Sequence, residues 1–232
     1  SGSIMAYNSI SGGVKPSGIA PFSFGNALEF DGVNDYVEGI DVNWNENING
    51  ICFWIETSND SFGRIFGNDD LPANSYLLNN FTDLRYYNRT GLVRNINPQL
   101  SANEKAHFVF STVSSSLLNV YKNGVLIDVV VLTDPMDGAN FIGTRTNGQQ
   151  GLDFKITELS FIDGYAPTLS DAENLYNSAL GEDVRNVIPP ENISRYYKTN
   201  ETDGSSTLID TMGNQNGTLN NFTTPPAYFS PF

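Results

Sequence analysis

The stretch from Asn26 to Gly39, Asn-Ala-Leu-Glu-Phe-Asp-Gly-Val-Asn-Asp-Tyr-Val-Glu-Gly, constrains the fold more than any other. Leu28 and Phe30 alternate with polar neighbours, Asp31-Gly32 and Asn34-Asp35 carry turn chemistry, and Tyr36 and Val37 resume an extended run. The order strand, turn, strand predicts a hairpin. The same logic recurs at Leu118 to Ile127, where Asn123-Gly124 lies between two β-rich runs and favours the positive φ angles of a two-residue hairpin turn.

Short apolar runs continue between turn clusters at 51–55, 64–66, 76–78, 84–87, 108–113, 117–121, 125–132 and 155–161. That spacing predicts an all-β sandwich. With 232 residues, 15 Phe and 11 Tyr, the chain has enough aromatic volume to fill the space between two sheets. The segment 169–180 breaks the pattern: Ser170 as N-cap, Asp171 and Glu173 in the first turn and Gly181 after the end predict one short helix. Residues 5–25 are rich in Gly, Ser and Pro and form an extended arm whose Phe22 and Phe24 are expected to dock on the body.

Five landmarks in order resemble the laminin-G-like, concanavalin A-like lectin family: the Ala27-Leu-Glu-Phe-Asp-Gly opening, the Asn123-Gly124 hairpin, Asn140-Phe-Ile-Gly143, Phe154 to Phe161, and the helix at Leu169 to Leu180. The chain departs from the family pattern at Ala106-His107, Asp153 and Thr157-Glu158. The resemblance implies a two-sheet antiparallel jelly roll over residues 26–188, preceded by the arm 1–25, in which 1–4 read as a cloning scar before Met5. Residues 189–232 contain Arg195 to Phe222, a segment that in the family precedes the opening strand. It is expected either to close the sandwich within the chain or to pair with a neighbouring chain.

The formal charge of −14, from 26 acidic against 12 basic residues, excludes the Lys/Arg stripe of a nucleic-acid footprint. No apolar run reaches the roughly 20 residues needed to span a bilayer, so no membrane insertion is expected. The one cysteine, Cys52, lies in Ile51-Cys-Phe-Trp-Ile55 and reads as a buried apolar filler.

Glycoside hydrolysis needs two facing carboxylates about 5 to 10 Å apart. The alternating acidic strand of jelly-roll hydrolases is missing: Glu29, Glu56 and Glu158 stand singly, and His107 has no nucleophile signature beside it. Glycan recognition needs flat aromatic faces and planar hydrogen-bonding groups, which Trp44 with Asn45 and the group Tyr86, Tyr87, Asn88 and Arg89 supply. The resemblance also implies a Ca²⁺ ion, with Asp31, Asn34, Asp35 and Glu158 as the expected ligands and Asp69-Asp70 and Asp134 to Gly138 as weaker seconds.

The sequence therefore points to a non-enzymatic recognition or structural module on an extracellular surface, such as a phage virion fibre, spike or decoration protein that meets a host glycan. Its expected partners are a cell-surface glycan or other virion proteins, and a homo-oligomer is compatible with the arm and tail. A carbohydrate-binding or polysaccharide-active module of a secreted bacterial protein, and a purely architectural virion protein, are the alternatives.

Overall fold

The structure, a computed structural model, describes residues 22–44, 47–58, 62–68, 75–80, 83–87, 93–96, 100–133, 138–143, 151–222 and 228–231. Before the helix, the chain forms strands β1 (Asn26–Asp31), β2 (Tyr36–Glu38), β3 (Asn49–Thr57), β4 (Phe62–Asn68), β5 (Ser75–Asn80), β6 (Asp83–Tyr87), β7 (Val93–Ile96), β8 (Lys105–Ser114), β9 (Leu117–Lys122), β10 (Val125–Val131), β11 (Phe141–Gly143) and β12 (Asp153–Asp163). Helix α1 (Leu169–Tyr176) follows, then β13 (Ile193–Tyr197), β14 (Thr207–Leu208), β15 (Gly217–Asn220) and β16 (Tyr228–Pro231).

These strands build two antiparallel sheets, ordered β10-β9-β8-β3-β12-β1-β16 and β14-β15-β2-β11-β4-β5-β6-β7, with β13 also paired to β12. Alternation along each strand sends one set of side chains between the sheets. There Phe30 stacks on Phe154 at 4.4 Å, and Phe53 of the first sheet meets Phe66 of the second edge-on at 5.6 Å. At one side the sheets meet where Arg94 Nε donates to the Val131 carbonyl at 3.0 Å.

The hairpin expected at Asn26 to Gly39 is instead an arch between sheets. β1 pairs with β12 and β16, whereas β2 pairs with β11 and β15. Leu28, Phe30 and Val37 all face one interior, the first two from one wall and Val37 from the other. The turn is tight: Asp31 N donates to Asp35 Oδ2 at 2.8 Å, and Gly32 has φ +77° where a side chain would crowd the Asp153 backbone. The second turn is the hairpin that the sequence predicts. Asn123 and Gly124 have φ 52° and 76°, and Lys122 pairs with Val125.

β12 changes partner along one side. Residues 153–156 pair with β1 and residues 159–162 with β13, and the register shifts between them, where Glu158 takes φ 52°. The Thr157 and Thr199 hydroxyls, 3.0 Å apart, join the two partners: Thr157 donates to the Lys198 carbonyl at 3.0 Å and Thr199 to the Asn26 carbonyl at 2.9 Å. The segment 189–232 pairs with strands of its own chain, β13 and β16 in the first sheet and β15 beside β2 in the second.

A smaller core lies on the outer face of the first sheet, where Ala172 and Leu175 of α1 and Val184 and Ile188 beyond it cover Cys52, Val109 and Ile162. The helix starts two residues earlier than Ser170 as N-cap suggests. Thr168 is the N-cap, in a reciprocal box with Asp171, and the helix stops at Asn177 in a left-handed conformation. Beside it, Phe22 and Phe24 pack edge to face, and Phe24 meets Trp54 at 4.9 Å, as expected for the end of the arm. Among the described residues no helix is long and apolar enough to cross a membrane.

Candidate functional site

Strand β6 carries the arrangement best suited to bind a ligand. Leu84 and Tyr86 point inward and are buried in the main core, so Asp83, Arg85 and Tyr87 line up on the outer face of the second sheet. Arg85 Nε donates to Asp83 Oδ1 at 3.1 Å, and the side chains are 30% and 10% exposed respectively. Arg85 also hydrogen-bonds with Tyr87, and that contact, followed by the Asp83 carboxylate, raises the Arg85 pKa above its ordinary value. Across the sheet, Asn95 of β7 stands opposite Arg85 and is exposed. A half-buried phenol ring, a guanidinium and an amide thus share one face.

This row corrects the aromatic cluster read from the sequence. Tyr86, 2% exposed, belongs to the core, while Tyr87 is half-buried on the outer face. Asn88 and Arg89 lie outside the described residues, as does Asn45. Trp44, in the connection between β2 and β3, is half-buried against the main core, and its indole N–H is buried with no acceptor among the described residues. Sequence reasoning misses Asp83 and Arg85 because it groups the contiguous residues 86–89; the period of two across Leu84 and Tyr86 is the available signal.

The expected cation ligands do not converge. Asp31 and Asp35 share the arch turn, where Asp31 Oδ1 accepts from Val33 N at 2.8 Å, and the Asn34 carbonyl accepts from Asn221 Nδ2 at 3.1 Å. Asp35 is 5% exposed, its Oδ1 has no partner among the described residues, and burial pushes its pKa up to about 7. Glu158 stands elsewhere: Asp31 pairs with Asp153, and Glu158 lies about 16 Å farther along β12 at ~3.3 Å per residue. Among the described residues, no group of three or more His, Cys, Asp or Glu side chains is gathered as a metal requires. Asp69, Asp70, Asp134 and Asp137 lie outside the described residues.

Glu158 sits instead in a buried network. The Tyr196 hydroxyl donates to its Oε2, and burial pushes its pKa up to about 7. Nearby, Asp183 accepts from Arg185 Nη2 at 2.7 Å and from Lys198 Nζ at 3.0 Å; these contacts outweigh burial and hold its pKa down to about 2. Both cations lie over the Tyr196 ring at 5.6 Å. The other single acids are interleaved with lysines: in register across β1, β12, β3 and β8 stand Glu29, Lys155, Glu56 and Lys105. Cross-strand pairs of opposite charge stabilise a sheet. His107 is buried within the first sheet rather than at its margin, and burial drives its pKa down to about 3; Cys52, also buried, is pushed up to about 12.

Known structures carry the same architecture. Over 91% of this chain, the backbone superposes on a candidate carbohydrate binding protein from Bacteroides ovatus ATCC 8483, with a TM-score of 0.67 and 17% identity. The fold is a concanavalin A-like jelly roll. This jelly roll spans 61% of the length of the Bacteroides protein. It is also similar to the native heptameric SAP-like pentraxin from Limulus polyphemus, at TM-score 0.53 and 13% identity over 68% of this chain and 84% of that one. Domain 4 of the GH43 extracellular arabinanase from Geobacillus stearothermophilus, in complex with arabinotriose, matches at TM-score 0.52 and 16% identity over 67% and 78% of the two chains. A scan against models of protein families finds no match, and a search of curated protein sequences finds none.

Proposed function

We propose that this jelly roll is a non-enzymatic glycan-recognition module of an extracellular surface, and that the outer face of β6 is where the glycan sits. The observation that carries the reading is the row Asp83, Arg85 and Tyr87, which offers a ring face for sugar C–H groups beside fixed donors for hydroxyls. Two structural neighbours support it, one described as a candidate carbohydrate binding protein and one solved with arabinotriose. Flat, open sites of this kind bind weakly. A glycan array with whole-cell pull-down is expected to show millimolar-to-micromolar binding that falls about tenfold or more in Tyr87→Ala, while Trp44→Ala, in the core, changes it little. Absence of binding on every surface overturns the reading in favour of an architectural role, and release of reducing ends from bacterial polysaccharides by the pure protein overturns the non-enzymatic one.

The finer proposal is a fibre, spike or decoration protein of a phage virion that contributes to host attachment. Neighbouring genes for capsid or tail proteins are the expected result, and a polysaccharide-utilisation cluster would favour a secreted bacterial module instead. A Ca²⁺ ion at the arch is proposed on one observation, the buried Asp35 Oδ1 without a partner among the described residues; Asp31 and backbone oxygens would complete its shell. Calcium should then raise the melting temperature, and Asp35→Asn should remove that shift. A melting curve indifferent to calcium and chelator rules the ion out.

A further inference from the structure

We propose that the β6 site takes neutral sugars and turns acidic ones away, and that Asp83 is the residue that sets this preference. The inference rests on the glycan reading above and adds the class of ligand. An arginine that recognises a uronate or a sialic acid keeps its fork open for two parallel hydrogen bonds to the carboxylate. Here the fork is engaged from within. Arg85 Nε points at Asp83 Oδ1 at 3.1 Å, and Arg85 also shares a hydrogen bond with Tyr87.

Depth matters as well as distance. The Asp83 side chain is 10% exposed and the Arg85 side chain 30%, so the carboxylate lies deeper than the guanidinium and offsets its charge from beneath. Such a surface still donates to hydroxyl oxygens. It gives a carboxylate no net positive charge, and the approaching anion also meets Asp83. Across the sheet the position facing Arg85 is Asn95, an uncharged amide. The whole chain, with 26 acidic against 12 basic residues, repels polyanions at longer range.

The test measures binding of the full chain to a neutral polysaccharide set (arabinan, galactan, mannan, dextran) and an acidic set (polygalacturonate, alginate, polysialic acid). Wild type is expected to bind at least one neutral glycan, to bind no acidic one more tightly, and to change affinity less than about twofold between about 50 and 500 mM NaCl. Asp83→Asn is expected to move the acidic-to-neutral affinity ratio up by about tenfold at low salt, by uncovering the guanidinium. A wild type that prefers acidic glycans, or a folded Asp83→Asn whose ratio does not move, overturns the assignment while leaving glycan recognition standing. A wild type that binds neither set overturns both. If Asp83→Asn fails to fold, the wild-type preference and its salt dependence decide alone.

Discussion

Glu158 and Asp35 are carboxyls that this fold holds protonated far above their ordinary range, each to about 7 from ordinary values of 4.5 and 3.8, with burial as the leading cause. A raised folded-state pKa means that the native state binds the proton more tightly than the unfolded chain. For Glu158, stability is therefore full below about pH 4.5, falls as pH rises toward about 7, and is level above that, with a span of roughly 3 kcal/mol. Asp183 works in the opposite sense: held down to about 2, it contributes stability above pH 3.8 that is lost as pH falls through about 2. Glu158→Gln keeps an acceptor for the Tyr196 hydroxyl and removes the ionisation. Its melting temperature should exceed wild type at pH 8 and match it near pH 4; equal melting at both values would show that Glu158 ionises at no cost. At this scale the sequence named Glu158 and Asp35 as special but joined them in one site. Their separation is set by which residues of β1 and β12 pair, and that register is not written in either residue's neighbourhood.

Elements were legible where the signal is local. Asn123-Gly124 specifies its own hairpin because both residues accept positive φ, and the alternating runs at 51–55, 108–113 and 155–161 all became strands. The arch was misread as a hairpin for a different reason: turn residues report that the chain reverses, and only the facing interior decides whether the second strand pairs with the first or crosses to the other wall. The short strands β14 and β15 owe their conformation to β2 and were hidden for the same reason. Helix α1 shows how close a local reading comes. The cap was placed at Ser170, but Thr168 holds the reciprocal bonds, accepting from Asp171 N at 3.2 Å while its own N–H donates to Asp171 Oδ2 at 2.8 Å. Thr168→Ala should cost about 1 kcal/mol of stability in denaturant unfolding, and Ser170→Ala much less. The reverse ranking would return the cap to Ser170.

The whole molecule carries the candidate row on the second sheet and pairs β1 with β16 in the first. The candidate row is only half legible, since Tyr87 stands out as an aromatic but Asp83 and Arg85 join it only once β6 fixes which side chains face out. The tail resembles a displaced segment in sequence alone, and the sheets show where it pairs: β13 beside β12 and β16 beside β1 in the first sheet, and β15 beside β2 in the second. Ending the chain after Pro190 removes all of them and uncovers inner faces and a sheet edge. The shortened protein should be insoluble or molten by circular dichroism and size-exclusion chromatography, and a folded monomer would show that the tail is dispensable. The pairing of Asn26 with Pro231 has a further consequence, in time rather than in space. The first strand of the sandwich finds this partner only once residues 228–231 have left the ribosome, so β1 waits through the synthesis of about 200 intervening residues with an open edge. Folding that depends on such distant pairings is slow, and while it lasts the waiting edge can accept the tail of another copy, which makes tail-exchanged dimers the characteristic misfolded form at high concentration.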